Sequence, residues 1–146
     1  MQVDFYHLTV RPVDRVLPRI AERVVATGDR LLIVSSDADQ REALDKALWS
    51  YSADSFLPHA QMGGRDDALQ PILIGDIATA INSARHIALV DGVWRDEALL
   101  FDRAFHFFDQ DCIDAARAAW KALADHDGIE RRYWKQTETG GWDQAA

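Results

Sequence analysis

The side chains of this sequence that could take part in catalysis or metal binding are one cysteine, five histidines and a few carboxylates. The histidines are dispersed along the chain: His7, His59, His86, His106 and His126. No two of them stand at i, i+4, and none has the spacing of a zinc ligand set. We therefore interpret each as a structural or surface residue, and we predict no metal ion and no cofactor.

Cys112 stands near the start of a predicted helix, a position that can lower the pKa of a thiol. Three neighbouring carboxylates oppose the thiolate: Asp109, Asp111 and Asp114. Asp37 and Asp39 follow a predicted strand, and a loop with a helix cap explains them more simply than a catalytic pair. Gly63 and Gly64 do not form a phosphate loop, because no Gly-Lys-Ser/Thr follows them. The sequence thus contains no recognisable catalytic motif.

Charge is unevenly distributed over the second half of the sequence. Residues 91–114 hold seven acidic and two basic side chains, whereas residues 117–135 hold five basic and three acidic ones. On the last long helix that we predict, Arg117 and Lys121 are i, i+4 neighbours and Trp120 projects beside them. This pattern favours an apolar depression with a basic rim, suited to a short acidic peptide with an aromatic end. The alternative is a solvated helix face with Trp120 turned into the sheet.

A second candidate surface includes Trp49, which ends a predicted amphipathic helix, and Phe56 and Pro58, which follow a polar turn. Proline cannot donate to a strand ladder, so residues 55–57 are predicted to form an edge strand or the end of one. Aromatic residues beside a sheet edge offer a partner an apolar surface with spare backbone groups. The alternative is that Trp49 and Phe56 are core residues, as most large aromatics are.

Alternating strands and helices must position these residues. Short apolar runs predict strands at residues 3–8, 30–35, 71–74, 86–90 and 104–108, with an outer strand at 129–137. Helical spacing predicts helices at residues 13–27, 39–49 and 111–125. The regular part of the first helix should begin near Leu17, because Pro18 is tolerated only in a first turn. The predicted fold class is α/β, a three-layer Rossmann-like domain with a mostly parallel central sheet.

Length and composition predict one globular domain over residues 1–146, with 138–146 as a loose C-terminal tail. Hydrophobic residues make up 48% of the chain, yet no stretch reaches the roughly 18–20 apolar residues of a membrane span. The N-terminus has no basic segment before an apolar one, so we expect a cytoplasmic protein. The formal charge of -8 opposes binding to a phosphate backbone, so contact with DNA should be indirect.

The whole chain resembles the chi subunit family of bacterial DNA polymerase III, accessory proteins of the clamp-loader complex. Four groups of residues carry the resemblance: Phe5-Tyr6-His7-Leu8, Leu44-Asp45 with Leu48-Trp49, Ser55-Phe56-Leu57-Pro58-His59, and Arg117 with Trp120-Lys121. The resemblance implies a nucleotide-binding-like α/β fold without nucleotide chemistry. It also implies a non-catalytic subunit of a complex with DNA-directed DNA polymerase activity.

Two partner-binding surfaces follow from this resemblance. One binds the acidic, Phe-ended C-terminal tail of single-stranded DNA-binding protein (SSB), and its residues by position are Phe108, Arg117, Trp120 and Lys121. Trp120 stands where the best-studied members of the family have Tyr. The second surface docks the psi subunit of the clamp loader, or a helicase, through residues matching Trp49, Phe56 and Pro58. The chain is therefore expected to link the clamp loader to SSB during DNA replication.

Two other functions compete with this interpretation when the residues are considered alone. A small Rossmann-like nucleotide-binding enzyme or sensor would place its site in the loops after Leu8 and Val34. Direct binding of single-stranded DNA through exposed Trp residues is opposed by the net charge of -8.

Overall fold

A central β-sheet of eight strands organises residues 1–51 and 57–146, the part of the chain that the structure, a computed structural model, describes. The strands are β1 (Gln2–His7), β2 (Leu31–Val34), β3 (His59–Gln61), β4 (Ile72–Gly75), β5 (His86–Leu89), β6 (Arg103–Phe108), β7 (Glu130–Gln136) and β8 (Trp142–Gln144). The α-helices of this part are α1 (Val13–Ala26), α2 (Ala38–Ser50) and α3 (Ile113–Leu123). Short 3-10 helices lie at Asp67–Leu69, Asp96–Leu100 and Gln110–Cys112.

The strand order of the sheet is β3-β4-β2-β5-β6-β1-β7-β8. Neighbouring strands are parallel except β7 and β8, which are antiparallel. Strand β2 is the apolar run Leu31–Val34, and it is fully buried because helices or loops cover both faces of a parallel sheet. Strand β1 lies between β6 and β7, with Phe5 opposite both His106 and Tyr133. Segments distant in sequence therefore meet at β1.

Helices and 3-10 turns cover both faces of the sheet. Helices α1 and α2 bury Leu17 and Leu44 on one face, together with Phe105 of β6. Helix α3 buries Ala116 on the opposite face, together with Phe5 of β1. Side chains on a strand alternate between the two faces, which explains why Phe5 and Phe105 enter different cores. The predicted three-layer α/β fold with a mostly parallel sheet is confirmed.

A buried carboxylate joins β1 to both of its neighbours. The side chain of Asp4 is fully buried and accepts hydrogen bonds from Gln2 Nε2 at 2.8 Å and from Arg103 Nε at 3.0 Å. Trp134 Nε1 on β7 donates to the other carboxylate oxygen at 3.0 Å. A buried charge is tolerated when it is paired and hydrogen-bonded in this way. These bonds fix β7 beside β1.

The end of β7 is fixed by a second buried polar contact. The Oε1 atom of Gln136 accepts from the backbone N–H groups of Thr9, Val10 and Arg11 at 3.2, 2.9 and 2.9 Å. Gln136 is only 4% exposed, so three amides of the loop after β1 are satisfied by one buried side chain. The C-terminal ends of β1 and β7 therefore have a defined relative position.

The start of the first helix differs from the sequence-based prediction. Helix α1 begins at Val13 and contains Pro18, because this proline forfeits a single backbone bond and its ring is buried. Edge strand β3 is His59–Gln61, and its pairing with β4 starts just after Pro58, which has no N–H to donate. The edge strand predicted at residues 55–57 falls mostly outside the described residues. Residues 52–56, with Phe56, lie outside the described residues.

The C-terminal residues also differ from the loose tail that we expected. Residues 142–144 form β8 and pair antiparallel with β7, and the ring of Trp142 contacts Tyr6 edge-on at 5.0 Å. An aromatic contact of this kind adds apolar burial that polar composition alone does not indicate. Among the described residues, no helix is both long and apolar enough to span a membrane.

Candidate functional site

Helix α3 presents two cations and a tryptophan beside each other. Its buried stripe is Ala116, Ala119 and Leu123, which face the sheet. Arg117 and Lys121 are exposed one turn apart, and neither has a hydrogen-bonded or ion-paired side chain in the described part of the structure. Since i and i+4 side chains lie on the same helix face, the two charges form one basic edge. The i, i+4 spacing of Arg117 and Lys121 in the sequence already predicts that they share this helix face.

Trp120 is half-buried between this edge and the sheet. Its ring contacts Phe5 edge-on at 5.3 Å and Tyr133 at 5.7 Å. The guanidinium of Arg131 lies 4.1 Å from the centre of the indole, and it also donates to the carbonyl oxygen of Trp120. A cation over an indole face is a favourable contact. Trp120 is thus partly turned into the sheet and still borders the basic edge of α3.

Phe108 does not occupy the surface position that was expected of it. The side chain is 2% exposed, so it cannot contact a bound peptide directly. The physical reason is the strand period, because Phe108 shares the α3-facing side of β6 with His106 and lies beneath the helix. Its ring stacks on His7 at 5.1 Å, and Phe108 therefore supports the surface from below.

Strand β7 contributes side chains that the sequence analysis did not assign to a site. Parallel pairing sets Tyr133 opposite Phe5 and Lys135 opposite His7, so both lie on the face that carries α3. Burial lowers the pKa of His7, and the positive charges of Lys135 and Arg117 lower it further. Those two cations therefore lie near the same imidazole. The alternation of Arg131, Tyr133 and Lys135 along a predicted outer strand was a signal that could have found them.

Trp49 lies at the end of α2, near the opposite edge of the sheet. It is 57% exposed, whereas its neighbour Leu48 is 2% exposed and belongs to the core. The indole packs on the ring of His59, whose centre is 4.5 Å away, and Pro58 is half-buried. His59 is itself held by Asp45, whose carboxylate lies 3.1 Å from its Nε2 atom. The structure therefore places Trp49 on the surface and Pro58 beside it.

A cavity of about 460 Å³ lies at the carboxyl ends of the central strands, where α/β sheets often bind ligands. Asp37, Asp91 and Asp109 line it. Asp37 caps α2 by accepting from the N–H of Asp39. Hydrogen bonds from Arg95 and from the N–H of Ser36 hold the pKa of Asp91 far below its usual range despite burial. These carboxylates repel phosphate, so the cavity does not suit a nucleotide.

The remaining candidates for chemistry are structural. Burial and three nearby carboxylates raise the pKa of Cys112, which opposes a nucleophilic thiolate. Among the described residues, no three His, Cys, Asp or Glu side chains are grouped so that they could hold a metal ion.

Known proteins agree with the family resemblance. Residues 1–130 match the family described as DNA polymerase III chi subunit, HolC. The chain is 29% identical over 89 residues to a probable DNA polymerase III subunit chi of Rickettsia prowazekii, covering 61% of this chain and 54% of that protein. It is 34% identical over 77 residues to the DNA polymerase III subunit chi of Pseudomonas aeruginosa, covering 51% and 53%. The subunit chi of Escherichia coli is 29% identical over 113 residues, covering 75% and 77%.

The aligned stretches span about half the length of the Rickettsia and Pseudomonas proteins. A solved C-terminal domain of a SWI2/SNF2 ATPase from Sulfolobus solfataricus shares 8% identity with the chain at a TM-score of 0.48, covering 74% of this chain and 54% of that one, and this likeness carries no functional argument. The family match, by contrast, extends from residue 1 to residue 130 of 146 and agrees with the observed fold. The chain belongs to the DNA polymerase III chi subunit family.

Proposed function

We propose that this chi-family protein connects DNA polymerase III to SSB by binding the acidic, Phe-ended C-terminal tail of SSB at α3. The observation that carries the proposal is the basic edge of α3. There, Arg117 and Lys121 are exposed beside the half-buried Trp120, and within the described part of the chain neither side chain is ion-paired or hydrogen-bonded, although the net charge of the chain is -8. The role is that of a non-catalytic adaptor.

Electrostatics explains why an acidic tail suits this edge. Some cations of this acidic protein are paired internally, as Arg85 is with Asp102 and Arg95 with Asp91. Arg117 and Lys121 remain available to carboxylates, and charge-assisted hydrogen bonds to a carboxylate are stronger than neutral ones. The negative charge of the rest of the chain repels DNA phosphates, so SSB itself, rather than the nucleic acid, is the partner.

Titration with a fluorescent peptide of the SSB tail tests the proposal. Arg117→Ala should weaken binding about tenfold, which is the effect of losing one charge-assisted hydrogen bond worth roughly 1.5 kcal/mol. Arg19→Ala is the matched control, because Arg19 is an exposed arginine on α1, which packs on the opposite face of the sheet. Binding should also weaken as salt rises, since exposed ion pairs are screened. Equal affinities of wild type and Arg117→Ala would refute the assignment.

The second surface of the proposal docks the psi subunit or a helicase. Trp49 supports it, because a tryptophan that is 57% exposed beside an edge strand offers apolar area that a partner can cover. Pro58 adjoins this surface, and Phe56, which lies outside the described residues, remains part of the prediction. Co-purification of the subunit with a psi protein or a helicase, compared between wild type and Trp49→Ala, tests this half of the proposal.

A further inference from the structure

We infer that strand β7 forms the second wall of the tail-binding surface, with Lys135 binding a carboxylate of the peptide and Tyr133 extending the aromatic floor beside Trp120. This inference rests on the proposed function of α3. It does not follow from the family match, which covers residues 1–130 and leaves Tyr133 and Lys135 outside it.

The sheet register places these side chains beside α3. Tyr133 pairs with Phe5 and Lys135 pairs with His7, and in-register neighbours of parallel strands point to the same face. Phe5 contacts Trp120 directly at 5.3 Å, which fixes that face as the one beneath α3. The helix and the strand therefore border one surface, with α3 on one side and β7 on the other.

The aromatic part of this surface is continuous. The ring of Tyr133 lies 5.7 Å from Trp120 and 5.8 Å from Phe108, both in edge-to-face arrangements. Tyr133 is half-buried, so part of its ring remains accessible next to the accessible part of Trp120. An aromatic side chain at the end of a peptide can pack against two such rings at once, which gives more apolar contact than Trp120 alone.

The charged part lies at the end of the surface nearest the N-terminus of α3. Lys135 is exposed and, within the described residues, has no ion-paired or hydrogen-bonded side chain. Both Lys135 and Arg117 act electrostatically on His7, whose imidazole lies on the face that carries α3. Two exposed cations that border one surface attract an anionic ligand to it. An acidic peptide is such a ligand.

Buried hydrogen bonds hold strand β7 in place before any peptide binds. Asp4 accepts from Trp134 on β7, and Gln136 accepts from three amides of the loop after β1. These buried contacts flank Lys135 on both sides along the strand. A preorganised strand loses little conformational entropy on binding, so more of the contact energy contributes to affinity. The occupant that fits is an extended acidic peptide with an aromatic terminus, its carboxylates near Arg117 and Lys135 and its ring near Trp120 and Tyr133.

Peptide titration with charge variants of β7 tests the inference. Lys135→Ala should weaken binding of the SSB-tail peptide about threefold to tenfold, and Lys135→Glu should weaken it further, because an attraction becomes a repulsion. Lys46→Ala and Lys46→Glu are matched controls, since Lys46 is an exposed lysine on α2. Thermal unfolding of each variant checks that the fold is retained, and amide chemical-shift changes in β7 upon peptide addition provide an independent readout.

The outcomes separate this inference from the proposal on which it rests. If Arg117→Ala weakens binding while both Lys135 variants bind as wild type does and β7 amides do not shift, the second wall is refuted and the α3 site stands. If wild type itself does not bind the peptide, both are refuted. Weakening by Arg117→Ala and by both Lys135 variants, with unchanged Lys46 controls, supports the two-walled surface.

Discussion

Replacing His106 by leucine should remove a large part of the acid sensitivity of this fold. His106 lies on β6 beneath α3 and is fully buried. Its ring contacts Phe5 at 5.3 Å, Trp94 at 5.5 Å and Phe108 at 5.7 Å. Neither ring nitrogen has a hydrogen-bond partner among the described residues. A protonated imidazole in this aromatic surrounding would be a buried charge without compensation.

The size of the effect follows from proton linkage. Burial lowers the pKa of His106 to about 4, with Asp91 raising it and Arg95 lowering it by smaller contributions. The unfolded chain takes up this proton near pH 6.5, so the unfolded state gains stability as the pH falls from 7 towards 4. The free energy of unfolding falls by at most roughly 1.4 kcal/mol for each pH unit between pH 6.5 and pH 4, so the folded state loses about 3 kcal/mol in total. That loss is a large share of a typical domain stability of about 5–15 kcal/mol.

Urea unfolding at several pH values between about 7 and 4 measures this loss. The free energy of unfolding of wild type should fall by about 3 kcal/mol more than that of His106→Leu over this range. Burial also lowers the pKa of His7 and His86, but both residues are present in both proteins, so their contributions cancel in the difference. His126→Gln, at an exposed position after α3, is the control and should follow wild type. Parallel losses in wild type and His106→Leu would refute the reasoning.

Two further predictions concern stability at other positions. Gly92 has φ +77° and an added Cβ would lie 2.6 Å from the sulfur of Cys112, so Gly92→Ala should cost about 2 kcal/mol or more in urea unfolding. Gly128→Ala, with the same φ but open space around the Cβ, should cost only about 1 kcal/mol, and equal costs would contradict the clash. Leu48→Ala should lose about 2–5 kcal/mol because Leu48 is 2% exposed, whereas Trp49→Ala should lose far less and should act mainly on partner binding. A large loss of stability in Trp49→Ala would assign this residue to the core.

The central strands could be predicted from the sequence because burial on both faces leaves a local signature. Residues 31–34 and 86–89 are uninterrupted or nearly uninterrupted apolar runs, and both are interior strands of the sheet. Helix α3 was equally visible, because alanines dominate it and its apolar residues recur at helical spacing. Such elements are specified by their own residues, and tertiary contacts only place them.

The elements that were predicted wrongly depend on contacts distant in sequence. Pro18 lies inside α1 because the fold buries that ring, a gain that the local rule for proline does not include. Strand β8 forms because it pairs with β7 and because the ring of Trp142 packs against Tyr6. Polar residues with two adjacent glycines, Gly140 and Gly141, have little strand propensity of their own.

The residues of the candidate site also divide into those that a local pattern predicts and those that depend on contacts distant in sequence. Arg117 and Lys121 could be paired by counting along one helix. The burial of Phe108 could not be predicted, because its strand face is decided by the pairing of β6 with β1, which no local pattern specifies. Lys135 lies on the face of the sheet that carries α3 only through the pairing of β7 with β1, between residues separated by more than a hundred positions in the chain. A surface formed by strands that are distant in sequence therefore cannot be predicted until the strand order of the sheet is known.

The sheet order also determines how far apart the two proposed partner surfaces lie. The proposed psi or helicase surface adjoins the edge strand β3, whereas the proposed SSB surface adjoins β7, six strand intervals away in the order of the sheet. At about 4.8 Å for each interval, the two surfaces are about 29 Å apart. This distance exceeds the screening length of about 8 Å at physiological ionic strength several times over, so charge changes at Arg117 or Lys135 act little on Trp49. The largely buried strands β4, β2, β5, β6 and β1 lie between the two proposed surfaces, so each surface can be tested by variants that leave the other unchanged.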